Sequence, residues 1–234
     1  MPRNKDLKRL VRARMAETGE NYTSALTRIL GETDLGLLPA PWHLTGTRSG
    51  DYQVGILPGT ETYEGNRIVL LHSRPEAIGG FGGFGALAQS IRATRYLGRR
   101  VSFSATVRTE DVTGWAGLWL RVDGPGGTVT LDNMLDRPLK GTTGWTPATI
   151  VMDVPENAVS LHFGALLSGA GALEMTRTHF SEVDETVPVT ARPFAETMPE
   201  EPQALDFGVL ASPRRWQRPC RATGARRPVR SLAR

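Results

Sequence analysis

Val101-Ser102-Phe103-Ser104-Ala105-Thr106-Val107-Arg108 alternates apolar and polar residues without a break. Successive side chains of a strand point to opposite faces, so this period of two puts Val101, Phe103, Ala105 and Val107 on one buried face. The same period recurs where Leu118, Leu120 and Val122 alternate with Trp119, Arg121 and Asp123. It returns where Ala148, Ile150, Met152 and Val154 alternate with Thr149, Val151 and Asp153. Short runs of this kind, parted by Gly, Pro, Asn and Asp turns, indicate strands buried on one side only. Strands are expected near 53–57, 66–72, 86–93, 101–109, 114–123, 127–133, 148–154 and 159–167, with a closing strand near 173–183. The expected fold class is mainly β, an antiparallel jelly-roll-like β-sandwich over residues 42–187.

The flanks follow other rules. Leu7, Leu10, Val11 and Met15 fall on one stripe of a helix, and Thr18-Gly19 stops it, because Gly readily takes the left-handed conformation that closes a helix. Asn21 or Thr23 can cap a second helix, with Tyr22, Ala25, Leu26, Ile29 and Leu30 as its apolar face. Residues 1–31 therefore read as a short helical hairpin, neither half of which is stable alone. Residues 32–41, with Gly36, Pro39 and Pro41, read as a linker. Residues 188–234 hold seven of the 16 Pro and no apolar period, the composition of a disordered basic tail.

The chain has 234 residues and a formal charge of +4, but the charge is unevenly placed. Residues 1–30 carry seven basic and three acidic side chains, and residues 213–234 carry eight Arg and no acid. The middle has 13 basic against 21 acidic residues, so an acidic body stands between two cationic ends. This excludes a uniformly basic chromatin-type protein and a wholly disordered chain. A lone Cys220 gives no internal disulfide, the charged start has no apolar leader core, and no apolar run approaches a membrane span. The expected compartment is the cytoplasm, with no membrane partner.

The string Gly114-Trp115-Ala116-Gly117-Leu118-Trp119-Leu120-Arg121-Val122-Asp123-Gly124 is followed by Leu131-Asp132-Asn133-Met134, Arg137-Pro138, Lys140-Gly141-Thr142-Thr143-Gly144-Trp145 and Phe163-Gly164-Ala165-Leu166-Leu167-Ser168-Gly169. Together with Tyr96-Leu97-Gly98-Arg99-Arg100-Val101, these strings resemble the β-sandwich module attached to bacterial erythromycin-esterase-like hydrolases and to some bacterial transcriptional regulators. The resemblance covers roughly 42–187 and implies a fold related to galactose-binding-like and carbohydrate-binding modules, with no established activity. The chain departs from that pattern in its last strand, where Glu174, Thr176 and Arg177 stand in place of a Trp and two Asp. The N-terminal string also looks loosely like the helices of ribbon-helix-helix repressors, but about five residues precede the first helix, too few for a DNA-reading strand and its turn.

Catalytic and metal motifs do not assemble. Gly80-Phe81-Gly82-Gly83-Phe84-Gly85 fits a dinucleotide fingerprint literally, yet lacks the βαβ context and an acid about 20 residues on. His43, His72, His162 and His179 are scattered with no partner at ligand spacing, and no Gly-x-Ser-x-Gly elbow is present. No catalytic residue, metal ligand or cofactor is assigned. The ligand candidates are Trp119, Arg121 and Asp123, which alternation places on one face, joined by Asn133 and Arg137 from the neighbouring strand or turn. An aromatic plate, a bidentate donor and a carboxylate suit a sugar or small polar ligand. The same pattern is also that of a buried Trp119 beside an Arg121–Asp123 cross-face salt bridge. Lys5, Lys8, Arg9, Arg12 and Arg14 are the nucleic-acid candidates, since cations on a short helix can contact phosphates without reading sequence.

The function these features suggest is a non-enzymatic binding or regulatory protein. Its basic helices would contact DNA, RNA or a protein partner, and its sandwich would bind a small polar ligand. The alternatives are an accessory interaction module with no small-molecule ligand and a hydrolase-associated carbohydrate-binding-like module.

Overall fold

The computed structural model describes residues 4–30, 35–58, 62–74 and 83–190. The first half of the glycine-rich string, residues 80–82, and nearly all of the expected basic tail lie outside the described residues. Two helices come first, α1 (Asn4–Thr18) and α2 (Tyr22–Leu30). The strands are β1 (His43–Thr45), β2 (Tyr52–Ile56), β3 (Thr62–Tyr63), β4 (Asn66–Arg67), β5 (Val69–Ser73), β6 (Phe84–Arg92) and β7 (Arg100–Glu110). They continue as β8 (Val112–Gly124), β9 (Gly127–Asp132), β10 (Leu139–Gly141), β11 (Thr146–Asp153), β12 (Ser160–Ser168) and β13 (Ala172–Val183).

The strands form two packed antiparallel sheets, as the alternation requires. One has the order β1-β6-β12-β8-β10, with β9 also paired to β8, and the other has β11-β7-β13-β5-β2. The small β3–β4 hairpin stands apart. Val101, Phe103, Ala105 and Val107 of β7 face Leu118, Leu120 and Val122 of β8 and Leu161, Phe163 and Leu167 of β12 across one core. Phe163 is its aromatic centre, 5.1 Å from Phe103, 4.7 Å from Phe180 and 5.8 Å edge-on from Trp42. The sandwich is thus of the expected class, and each of the nine expected strands has a counterpart, the run at 66–72 being split into β4 and β5. Three further strands, β1, β3 and β10, are two or three residues long, too short for a period of two to register.

The helical hairpin forms with the local chemistry that its sequence specifies. Gly19, at φ +72°, closes α1 by donating its N–H to the Met15 carbonyl at 2.9 Å. Asn21, rather than Thr23, caps α2, its Oδ1 accepting the Ser24 N–H at 2.8 Å. Val11, Tyr22, Ala25 and Leu26 then pack on Leu57, Ile68, Leu70 and Ala172, forming a second cluster on the outer face of the β7–β13–β5 sheet. Leu10 departs from the expected apolar stripe and is exposed. Gly36, in the segment read as a linker, exchanges two backbone hydrogen bonds with Ile56, and Thr190 donates its N–H to the Val151 carbonyl. Helices and sandwich belong to one compact unit.

Candidate functional site

Strand register builds the site on the outer face of the other sheet. Trp119 of β8 is paired with Gly164 of β12, which is paired in turn with Ala88 of β6. With no side chain at Gly164 to prop it up, the indole lies across β12 and donates from Nε1 to the Leu87 carbonyl at 3.2 Å. A Cβ at position 164 would come within 1.9 Å of that same oxygen, so this crossing requires glycine. Two residues along, Ser90, His162, Arg121 and Leu131 form a row across four strands. Trp115 follows the β8 alternation to the same face, opposite Ser168 and Phe84.

Beside this plate opens a cavity of about 380 Å³. Trp115, Trp119, Phe84, Leu131 and Leu166 supply its apolar walls, and Arg121, Asn133, Thr45 and Thr47 its polar groups. Arg121 donates from Nη2 to Asp123 Oδ2 at 2.8 Å. The same oxygen lies 3.2 Å from His162 Nε2, which is also 2.9 Å from Ser160 Oγ, while His162 Nδ1 is 2.7 Å from Ser90 Oγ. Burial first, then the charge of Arg121, holds His162 below the ordinary histidine value of 6.5, with Asp123 opposing and His43 adding to the depression. The imidazole is therefore neutral at pH 7.

Of the five ligand candidates, Trp119, Arg121 and Asn133 line the cavity together. Asp123 stands behind them as the partner of Arg121, so the salt bridge and the open aromatic plate coexist. Arg137 is not in the lining: it braces the following turn through Asp132 Oδ2 at 2.7 Å and Asp136 Oδ1 at 2.8 Å. Sequence reasoning missed Trp115, although its position on β8 placed it on the same face as Trp119. It also missed Phe84, Leu166, His162 and Ser90, which reach the face only through long-range pairing. Among the described residues no group of three His, Cys, Asp or Glu is placed to hold a metal.

The basic helix faces the second sheet. Lys8 Nζ lies 2.7 Å and Arg12 Nη2 2.9 Å from the carboxylate of Glu110 at the end of β7. Burial alone would raise the Glu110 carboxyl, but its hydrogen bonds to Lys8 and Arg12 outweigh this and hold it below the ordinary value. Arg14 pairs with Glu20 at 3.1 Å, and Arg9 is exposed. Lys5 lies on α1, its side chain outside the described part of the structure. Beneath the hairpin, Arg108 is ion-paired with buried Glu174 and stacks 4.5 Å over the Trp145 ring.

No family model matches the chain. An uncharacterised HTH-type transcriptional regulator of Bacillus subtilis (strain 168), YbfP, is 37% identical over 167 residues. The alignment covers 71% of this chain and 56% of that protein, so the chain spans little more than half of the relative. Among solved structures, the CBM22-1 xylan-binding domain of Paenibacillus barcinonensis Xyn10C is 14% identical with a TM-score of 0.43, over 64% of this chain and 90% of that one. The C-terminal family 22 carbohydrate-binding module of Clostridium thermocellum Xyn10B is 13% identical with a TM-score of 0.42, over the same shares.

Proposed function

We propose that the chain is a non-enzymatic binding module of a regulatory protein, and that its outer-face cavity takes a small polar ring ligand such as a sugar. The carrying observation is that the indole of Trp119, tied across β12 to the Leu87 carbonyl, lines one cavity of ligand size together with Arg121 and Asn133. A ring with an apolar face stacks on the indole, and its polar substituents meet the guanidinium and the amide. The kinship with a protein named as an HTH-type regulator supports the regulatory part of this reading.

Titration of tryptophan fluorescence with a panel of mono- and oligosaccharides tests it. Trp119→Ala removes the plate and weakens the best ligand by about 2 kcal/mol, roughly thirtyfold in Kd. A variant that binds as well as the wild type overturns the reading.

A second reading, nucleic-acid contact through residues 1–31, draws on the same relative's name and on the exposed cations of α1. Against it, Lys8 and Arg12 are held by Glu110, and α2 turns Tyr22, Ala25 and Leu26 into the sandwich. Gel-shift assays over a salt series decide it, since contacts of this kind weaken steeply as salt rises.

A further inference from the structure

The polar side of the cavity is one-sided. Arg121 is the charged member of its lining, and its guanidinium is more exposed than the Asp123 carboxylate, with side-chain exposures of 37% and 19%. Asn133 Oδ1 already accepts the Leu135 N–H at 3.2 Å, which leaves its Nδ2 hydrogens to turn to the cavity. Thr47 Oγ1 accepts the Phe84 N–H at 3.2 Å, so the hydroxyl proton of Thr47 is free to donate. Trp119 Nε1 is taken by Leu87, whereas the indole N–H of Trp115 makes no hydrogen bond among the described residues. Asp123 holds Arg121 from behind through a single nitrogen and does not line the cavity. A ligand therefore meets N–H and O–H donors, one of them cationic, over an aromatic floor, with no carboxylate among the lining side chains.

From this arrangement we propose that the cavity selects a ring bearing a carboxylate, the ring lying on Trp119 and the carboxylate on Arg121 and Asn133. This rests on the ligand-binding reading above and adds the charge of the ligand. A neutral polyol needs acceptors for its hydroxyl protons, which these side chains supply poorly. A carboxylate has only lone pairs to offer and matches the donors present. Sugar acids and aromatic acids share this chemistry.

Isothermal titration of the full chain at low ionic strength and pH 7 compares each acid with a neutral twin: D-glucuronate with D-glucose, and 4-hydroxybenzoate with its methyl ester. The expected result is that at least one acid binds about tenfold or more tighter than its twin. The series in which this happens identifies the source. Arg121→Gln brings the ratio close to one and Arg121→Lys, which keeps the charge, retains the preference, with thermal melting verifying that both variants fold. The comparison within the wild type stands even if a variant does not fold. Equal affinity of acid and twin in both series overturns the proposal. If Trp119→Ala then abolishes that shared binding, the broader ligand-binding reading survives. Absence of binding by all four compounds at roughly millimolar concentration overturns the carboxylate proposal, and a blank saccharide panel beside it takes the broader reading as well.

Discussion

Gly164 is the residue on which the site turns. It lets two things occupy one place: the close approach of β12 to the Leu87 carbonyl and the passage of the Trp119 indole over the sheet. Neither survives a side chain there. Gly164→Ala forces β12 away from β6 or rotates the Leu87 peptide, and overpacking of this kind costs about 1–3 kcal/mol. Loss of the Leu87 acceptor also frees the Trp119 N–H. The expected outcome is a lower melting temperature together with a red-shifted tryptophan emission and loss of ligand binding. Ala116, on the inward side of β8 and fully buried, provides the contrast: enlarging it strains the core yet leaves the plate in place. A Gly164→Ala protein with wild-type emission and stability contradicts the assignment.

At the scale of elements, α1 is fastened to the sandwich at one ionic point. The Glu110 side chain is only 6% exposed, and both of its oxygens are occupied by helix cations. Glu110→Gln removes the charge and leaves Lys8 facing a neutral amide, a loss of about 1–3 kcal/mol in docking. Amide hydrogen exchange across residues 4–30 is expected to quicken, while β7 itself stays protected; unchanged exchange in α1 would show that the apolar contacts suffice. If the basic helix does contact nucleic acid, the same variant binds it more tightly, because two cations are released. This fastening also marks the limit of what the chain reveals before it folds. Periods of two over five or more residues announced β7, β8 and β11 nearly to the residue, since one buried face repeats along each strand. Trp119 and Arg121 were legible as cavity residues because they share a strand. The opposite wall was not, because Phe84 and Leu166 come to that face only through pairing with strands far along the chain. Likewise the partner of Lys8 lies 102 residues away, and nothing in the spacing of the helix points to it.

The whole molecule responds to pH through a small set of groups that folding has displaced from their ordinary values. His72, buried on β5 with Nδ1 at 3.0 Å from the Ser73 carbonyl, is held below 6.5 by burial first, with Arg74 adding to it and Ser73 opposing. His162 is lowered in the same direction. A depressed histidine binds fewer protons folded than unfolded, so its contribution is present above about pH 6.5 and is lost as pH falls through the folded value. Glu110 and Glu20, held below 4.5 in the folded chain, add the same sign at lower pH. Burial works the other way on Glu174, raising it against the pull of Arg108, so its protonation in the fold offsets part of the histidine loss. The two histidines draw stability down from pH 7 towards pH 5, each with a slope of at most about 1.4 kcal/mol per pH unit, and Glu174 acts against them wherever it takes up its proton. Urea midpoints measured across that interval check it. His72→Asn, which keeps a side-chain N–H near the Ser73 carbonyl but cannot take up a proton, is expected to lower stability throughout and to flatten the profile. A variant whose midpoint falls as steeply as that of the wild type would remove His72 from the account and leave His162 to carry it.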